Sequence, residues 1–236
     1  MRLRPKDIVA MRNKLYALQL SCPKQKARYD VIRYRYFIDT EGYRRRVYDD
    51  ATGQPLRPGQ PCLGKRTVGI GFNMDRTEAP DEWTQCFQNT VDFKAVQKGH
   101  RILTTDQVKQ LFNAAICLRE RLLQKMYGLD WARLKANERL AIEDAFYNCE
   151  ALVNADTAFY QAMTRYVQKG DPHFLDAAIE QIKKYSNPKK LKGLQKRRDA
   201  CALLLNAPQC AANQKFGLSQ GRVVGPVGLE PTTTPL

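Results

Sequence analysis

A short stretch of strand-forming sequence interrupts a chain that is otherwise patterned for helices. Residues 67–72 read Thr-Val-Gly-Ile-Gly-Phe, and the alternation of other residues with glycine predicts a strand. Residues 44–47 predict a second strand, followed by a turn signal over 50–53. Helical periodicity accounts for most of the remaining chain up to residue 205. The pattern therefore predicts an α+β fold that is mostly helical and carries a small antiparallel sheet.

Apolar spacing together with start and stop signals indicates where the helices lie. A helix over residues 26–40 is expected to end at Gly42, which places Glu41 in its last turn, next to the predicted sheet. A capping box of Thr104 and Gln107 is expected to open a long helix that continues to residue 126. Further helices are expected over residues 1–20, 81–89, 138–149, 157–167, 174–184 and 190–205.

The chain is strongly basic, with 39 Lys and Arg residues against 24 Asp and Glu residues, a net charge of +15. Such an excess points to a polyanionic partner, which could be nucleic acid, anionic lipid or an acidic wall polymer. No zinc-finger, RNA-recognition or helix-turn-helix signature accompanies the charge, which argues against nucleic acid. The basic clusters at residues 44–46 and 189–198 are expected on solvated faces. If these clusters have a function, it is electrostatic attraction to anionic wall polymers.

Several classes of protein are disfavoured by composition. The seven cysteines include no CxxC pair and only two histidines are present, so we expect neither a metal nor a cofactor. No apolar run approaches the roughly 20 residues that cross a bilayer, so stable membrane insertion is not expected. Charged residues interrupt the first twenty positions, so no signal peptide is expected either.

Two separated carboxylates followed by a threonine in a glycine-rich strand suit a glycoside hydrolase. One of Glu41 and Asp50 would protonate the leaving oxygen, and the other would position water or stabilise positive charge on the sugar. Thr67 would lie beside them. Asp49 adjoins Asp50, but alternation along a strand would point the two side chains to opposite faces. Only one of the two can therefore face the site.

The spacing of these residues resembles a known family. Glu41, eight residues, Asp50, and then Thr67 opening TVGIG resemble the phage lysozymes of the T-even type, glycoside hydrolase family 24. Segments resembling other parts of the family follow in the same order: LTTDQVKQLFN at 103–113 (the long inter-lobe helix), residues 134–148 (the buried central helix) and GLQKRRDACALLL at 193–205 (the closing helix).

The resemblance implies a lysozyme-like fold in which a long helix joins the β lobe to a helical lobe. It implies a muramidase that cleaves the β-1,4 bond between N-acetylmuramic acid and N-acetylglucosamine with inversion at the anomeric carbon. Glu41 would be the general acid, Asp50 rather than Asp49 the ionised carboxylate, and Thr67 the residue that holds water. The residues expected to bind substrate are Asn148, Gly71 and Phe72.

The resemblance also implies a biological setting. A phage endolysin stays in the cytoplasm of its bacterial host until a membrane-permeabilising partner releases it to the wall, where it lyses the cell. We expect a monomer whose partner is peptidoglycan, with anionic wall polymers as a second candidate. Two other readings stay open: a catalytically inactive wall-binding or virion structural module of the same fold, and a basic nucleic-acid-binding protein.

The chain departs from the family in two places and extends beyond it at both ends. Sixteen residues separate Asp50 from Thr67, more than in the shortest members, so the hairpin carries an insertion over 54–66. Phe72 and Asn73 stand where many members have histidine. The expected organisation is an N-terminal helical extension over 1–30, a catalytic domain over 31–206 and a disordered tail over 207–236, with the β lobe at 41–76 and the helical lobe at 100–206.

Overall fold

The computed structural model describes residues 3–184 and 192–206, which form a small sheet set among helices. The sheet is antiparallel, has the order β1-β2-β3 and consists of β1 (Arg44–Asp49), β2 (Arg66–Gly69) and β3 (Phe72–Asn73). The α-helices are α1 (Pro5–Tyr16), α2 (Pro23–Glu41), α3 (Ala79–Phe87), α4 (Phe93–Gln97), α5 (Thr105–Tyr127), α6 (Leu129–Arg133), α7 (Ala136–Asn148), α8 (Ala158–Lys169), α9 (Pro172–Lys184) and α10 (Lys192–Leu205). The predicted mostly helical α+β fold is confirmed.

The strand expected over residues 67–72 is in fact two strands joined by a tight turn. Gly69 and Gly71 have φ values of +69° and +73°, in the left-handed region that glycine adopts without steric cost. The chain reverses there, and Val68 of β2 pairs with Phe72 of β3. The prediction of one continuous strand was wrong, because glycines that fit an alternating pattern also permit the reversal.

Helix α2 ends as its sequence predicts. Gly42 has a φ of +84°, and its N–H donates to the carbonyl oxygen of Ile38 at 3.0 Å, which closes the last turn. Glu41 is consequently the final residue of the helix, at the point where the chain enters the sheet. The predicted position of Glu41 is confirmed.

Buried polar contacts fix α2 against α7. Tyr29 donates its hydroxyl hydrogen bond to Glu143 at 2.8 Å, and Tyr36, two turns further along the helix, donates to Asp144 at 3.1 Å. Arg33 lies between them and donates to Glu143 at 3.1 Å. Both acceptor carboxylates are completely buried. The helix that carries Glu41 therefore has a defined direction and rotation.

The long helix α5 connects the sheet with the helical part of the fold. Its predicted capping box is present, since Thr104 Oγ1 accepts from the N–H of Gln107 at 3.1 Å and Gln107 Oε1 accepts from the N–H of Thr104 at 2.9 Å. The helix contacts β1 and β2 near its start and α6 and α7 further along. Helix α7 contacts α1, α2, α5 and α10, and α10 also contacts α1 and α9.

The short helices α4 and α6 were missed because five residues are too few to show helical periodicity. Within the described residues no helix is both long and apolar enough to span a membrane. The same residues contain no group of three or more His, Cys, Asp or Glu side chains arranged to hold a metal ion. The tail expected to be disordered, 207–236, lies outside the described residues.

Buried Glu143 makes the stability of the fold depend on pH. Burial is the largest effect on this carboxyl group and raises its pKa to about 7, although Arg33 opposes the shift, and Glu120 of α5 and Lys26 also act on it. The folded protein therefore keeps the Glu143 proton at pH values where the unfolded chain has already released it. Raising the pH from about 4.5 to 7 should lower the free energy of unfolding by up to about 3 kcal/mol from this group.

Denaturant unfolding of the wild type and of Glu143→Gln across this pH range measures the contribution. The amide does not titrate, so the variant should lack this part of the pH dependence, whereas Glu180→Gln, at an exposed position, should retain it. Parallel stability curves for wild type and Glu143→Gln would contradict the prediction.

Candidate active site

Glu41 presents a carboxylate that is sheltered but not enclosed. Its side chain is 17% exposed, and Oε1 forms an ion pair with Nη2 of Arg197 at 2.7 Å. Arg197 belongs to α10, the last described helix, so this ion pair joins α2 to a helix far along the chain. The ion pair fixes the direction in which the carboxylate points.

Asp144 of α7, which is completely buried, holds the same guanidinium. Its Oδ1 accepts from Nη2 of Arg197 at 2.7 Å and from Nε at 3.1 Å, and Tyr36 and Asn148 donate to the same carboxylate. Burial disfavours the charge on Arg197, but Asp144 and Glu41 hold the pKa of its guanidinium well above the ordinary value. Arg197 is therefore charged and oriented from both sides.

The turn between β2 and β3 passes directly over Glu41. A Cβ atom at Gly71 would lie 2.8 Å from Cδ of Glu41, so no larger residue fits without displacement. The hydroxyl of Tyr147 donates to the carbonyl oxygen of Ile70 at 2.7 Å and anchors this turn to α7. Gly71, predicted from sequence as a site residue, is therefore brought together with Glu41.

Asp50 follows β1 directly, and its side chain is exposed. Tyr48 lies opposite Thr67 in the register of β1 and β2, so alternation puts Tyr48, Asp50 and Thr67 on one face. Burial, followed by the charge of Glu41 and with a smaller effect from Asp50, raises the pKa of Tyr48 to about 12. Tyr48 therefore lies within electrostatic reach of both carboxylates.

Thr67 is almost fully buried in β2. It is 5% exposed, and its hydroxyl donates a long hydrogen bond to the carbonyl oxygen of Lys65 at 3.4 Å. The weak bond leaves the hydroxyl oxygen as an acceptor on the face that Thr67 shares with Asp50.

Asp49 is buried and Asp50 is exposed. Asp49 is 3% exposed and accepts hydrogen bonds from the backbone N–H groups of Ala51 at 2.9 Å, Leu63 at 2.8 Å and Gly64 at 2.9 Å. These bonds, with that of Leu63 the largest effect, lower the pKa of Asp49. Asp49 is thus an ionised structural residue, and Asp50 is the carboxylate that faces solvent.

The other two predicted substrate-binding residues have different surroundings. Asn148 donates to the backbone oxygen of Asp144 at 2.7 Å and so belongs to the network that orients Arg197. The ring of Phe72 is 3% exposed and packs against Trp83 of α3, with 6.0 Å between ring centroids. Because packing uses the Phe72 ring, the structure does not bring it to the exposed side of the site.

Sequence reasoning missed Arg197 and Asp144. Arg197 lies in the basic cluster expected on a solvated face, an expectation that was wrong for this position, since its side chain is only 10% exposed. The neighbouring Arg198 is 1% exposed. A usable signal was the pair Glu143 and Asp144 within the otherwise apolar stretch 140–146, because buried carboxylates require cations or donors from elsewhere in the fold.

Replacing Gly71 with alanine tests the close approach to Glu41. Its positive φ already disfavours a side chain, and the new Cβ would also displace the Glu41 carboxylate. We expect destabilisation of about 1–3 kcal/mol, measured by denaturant unfolding. Gly59→Ala is the matched control, since it has a φ of +76° and nothing within 4 Å of its Cβ position. Equal losses for the two variants would contradict the contact.

Comparison with known proteins shows which family the chain belongs to. The chain matches none of the curated proteins and none of the solved structures with which it was compared. The phage lysozyme family model matches residues 39–201, which is more than half of the chain. The matched segment starts just before Glu41 and includes Asp50, Thr67, Gly71 and Arg197. The chain therefore belongs to the phage lysozyme family, the glycoside hydrolases that degrade peptidoglycan.

Proposed function

We propose that this chain is a lysozyme of the T-even type, glycoside hydrolase family 24, which hydrolyses the β-1,4 bond between N-acetylmuramic acid and N-acetylglucosamine. The observation that carries the proposal is the pair of unlike carboxylates near Tyr48: sheltered Glu41, held by Arg197, and exposed Asp50. Hydrolysis of a glycosidic bond by two carboxyl groups needs one proton donor and one ionised group. Because Glu41 is sheltered and Asp50 is exposed, the two carboxyl groups are suited to these two different roles.

Glu41 is the proposed general acid. Arg197 makes two hydrogen bonds to Asp144 and one contact to Glu41, so Asp144 holds the guanidinium in place. The contact of Arg197 with Glu41 then serves mainly to aim the carboxyl group. A proton donor aimed at the glycosidic oxygen accelerates departure of the leaving group.

Asp50 is the proposed ionised carboxylate. Its exposed position leaves it in contact with water, which suits it to stabilise the oxocarbenium-like transition state and to accept a proton from water. Thr67, on the same face, is proposed to hold that water through its hydroxyl oxygen. Because the chain resembles the T-even type, we also propose that hydrolysis inverts the configuration at the anomeric carbon.

Asn148 and Gly71 are the proposed substrate-binding residues. Asn148 ends the central helix next to Asp144, a position from which an amide can bond to a sugar acetamido group. Gly71 lets the turn between β2 and β3 lie directly against the Glu41 carboxylate, and its backbone is proposed to line the sugar-binding cleft there. Phe72 is left out of this set because its ring is buried.

The proposed biological role is lysis of a bacterial host by a monomeric endolysin that reaches the wall from the cytoplasm after a partner permeabilises the membrane. The excess of positive charge supports attraction to anionic wall polymers as well as to peptidoglycan. Salt would screen such attraction, so binding to isolated walls should weaken as ionic strength rises.

Substitution of Glu41 by glutamine tests the enzyme assignment. The amide retains the shape of the side chain but has no acidic proton to transfer to the leaving oxygen, so clearing of peptidoglycan should fall by about 10³-fold. The measurements are a zymogram and mass analysis of the released muropeptides, where a reducing-end muramic acid indicates hydrolysis. Glu180→Gln, at an exposed glutamate on α9, is the control and should clear as the wild type does.

Four outcomes would contradict the enzyme assignment in different ways. Clearing unchanged by Glu41→Gln would reject Glu41 as the acid, and a 1,6-anhydro product would indicate a lytic transglycosylase. Wall binding by a wild type that never clears would favour an inactive module, and salt-sensitive retention on DNA without clearing would favour a nucleic-acid-binding protein.

Substitutions at Arg197 and Asp144 test the aiming of Glu41. Arg197→Lys retains the charge, but one ammonium group cannot reproduce the planar guanidinium that bonds both carboxylates. Asp144→Asn replaces the carboxylate that accepts from Arg197 with a neutral amide and so weakens the hydrogen bonds that hold Arg197. We expect each variant to lose about 10²-fold in kcat with a smaller change in KM. Arg133→Lys, at a side chain that is 62% exposed, is the control, and a wild-type kcat in Arg197→Lys would contradict the role.

A further inference from the structure

The segment between the two strands of the first hairpin, residues 54–65, is called the insertion loop here. It is tied to the fold at its start, where the N–H of Leu56 donates to the carbonyl oxygen of Val47 at 2.9 Å and the Leu56 side chain is 3% exposed. An isolated bridge joins Pro55 to Tyr48. The first half of the loop is therefore anchored in the core beside the residues that precede Asp49.

The second half of the insertion loop is held by Asp49. Its buried carboxylate accepts from the N–H groups of Leu63 and Gly64 in the loop and from that of Ala51 in the turn. An ionised acceptor makes stronger hydrogen bonds to backbone N–H groups than a neutral one. One carboxylate therefore closes the loop back onto the end of β1.

The closed loop meets Asp50 at two points. The N–H of Lys65 donates to Oδ1 of Asp50 at 2.6 Å, and the N–H of Asp50 donates to the carbonyl oxygen of Lys65 at 3.1 Å. A Cβ atom at Gly64 would overlap Oδ1 of Asp50 and approach Ala51 to 2.8 Å. The Asp50 carboxylate is thus seated against loop backbone that has no side chain at that position.

We propose that Asp49 and the insertion loop form a clamp that positions Asp50, which makes Asp49 a positioning residue for hydrolysis. An exposed carboxylate beside a strand end would otherwise sample several rotamers. The clamp selects one of them through the Lys65 N–H and the space left by Gly64. The inference rests on the proposed function, since it concerns the orientation of the second carboxylate of that reaction.

The steady-state kinetics of four variants on soluble peptidoglycan fragments test the clamp. Asp49→Ala removes all three acceptor contacts, and Asp49→Asn turns an amide donor towards at least one N–H, so kcat should fall about 10-fold or more in the first and by less in the second. Gly64→Ala leaves Asp49 intact but pushes Asp50 aside and should also lose about 10-fold in kcat. KM should change little, because Asp50 acts on the transition state.

Leu63→Ala is the matched control, since the Leu63 side chain is 81% exposed and its N–H to Asp49 remains. It should retain the wild-type kcat. Amide hydrogen exchange gives a readout that does not depend on activity: the N–H groups of Leu63, Gly64 and Lys65 should exchange faster in Asp49→Ala, whereas amides of α5 and α7 remain protected.

The outcomes separate the clamp from the function it serves. A wild type that releases no reducing ends defeats the proposed function and with it the catalytic meaning of the clamp. An active wild type whose Gly64→Ala and Asp49→Ala variants retain full kcat overturns the clamp alone. Loss of kcat in Leu63→Ala equal to that in Gly64→Ala also overturns it, since the loop would then act through its side chains.

Discussion

The arrangement around Glu41 depends on one guanidinium. Arg197 of α10 lies between buried Asp144 of α7 and half-sheltered Glu41 at the end of α2. A buried carboxylate is tolerated only where a paired charge or hydrogen bonds replace its lost hydration. Asp144 therefore requires Arg197, and Arg197, once held there, has a fixed direction in which to meet Glu41. Three helices that are distant in sequence are joined at the group proposed to donate a proton.

Each of the two proposed catalytic carboxylates lies against backbone at a glycine. Gly71 brings the β2–β3 turn against Glu41, and Gly64 brings the insertion loop against Asp50. In both cases glycine lets the backbone approach a carboxylate more closely than any side chain would allow. The surroundings still differ, because Glu41 is sheltered and Asp50 is exposed, and this difference is the physical basis for assigning them different roles.

The positive charge of the chain is only partly a property of its surface. Arg33 bonds the buried Glu143, Arg197 bonds the buried Asp144, and Arg198 is 1% exposed. These cations stabilise the interior and cannot attract a polyanion. Because their partners are buried carboxylates, these pairs leave the net charge of +15 unchanged, and exposed residues such as Arg44 and Arg45 are available to attract a polyanion.

The sequence by itself determined the helices longer than a few turns, the capping box at Thr104 and the position of Glu41 at a helix end, because each is encoded by neighbours within one or two turns. The spacing of Glu41, Asp50 and Thr67 also identified the candidate site. Only the tertiary structure decided that Arg197 meets Glu41 and that Asp49 closes the insertion loop. Those contacts join residues that are far apart in the chain. A local sequence pattern therefore cannot predict which charged group or N–H group a buried carboxylate will contact after folding.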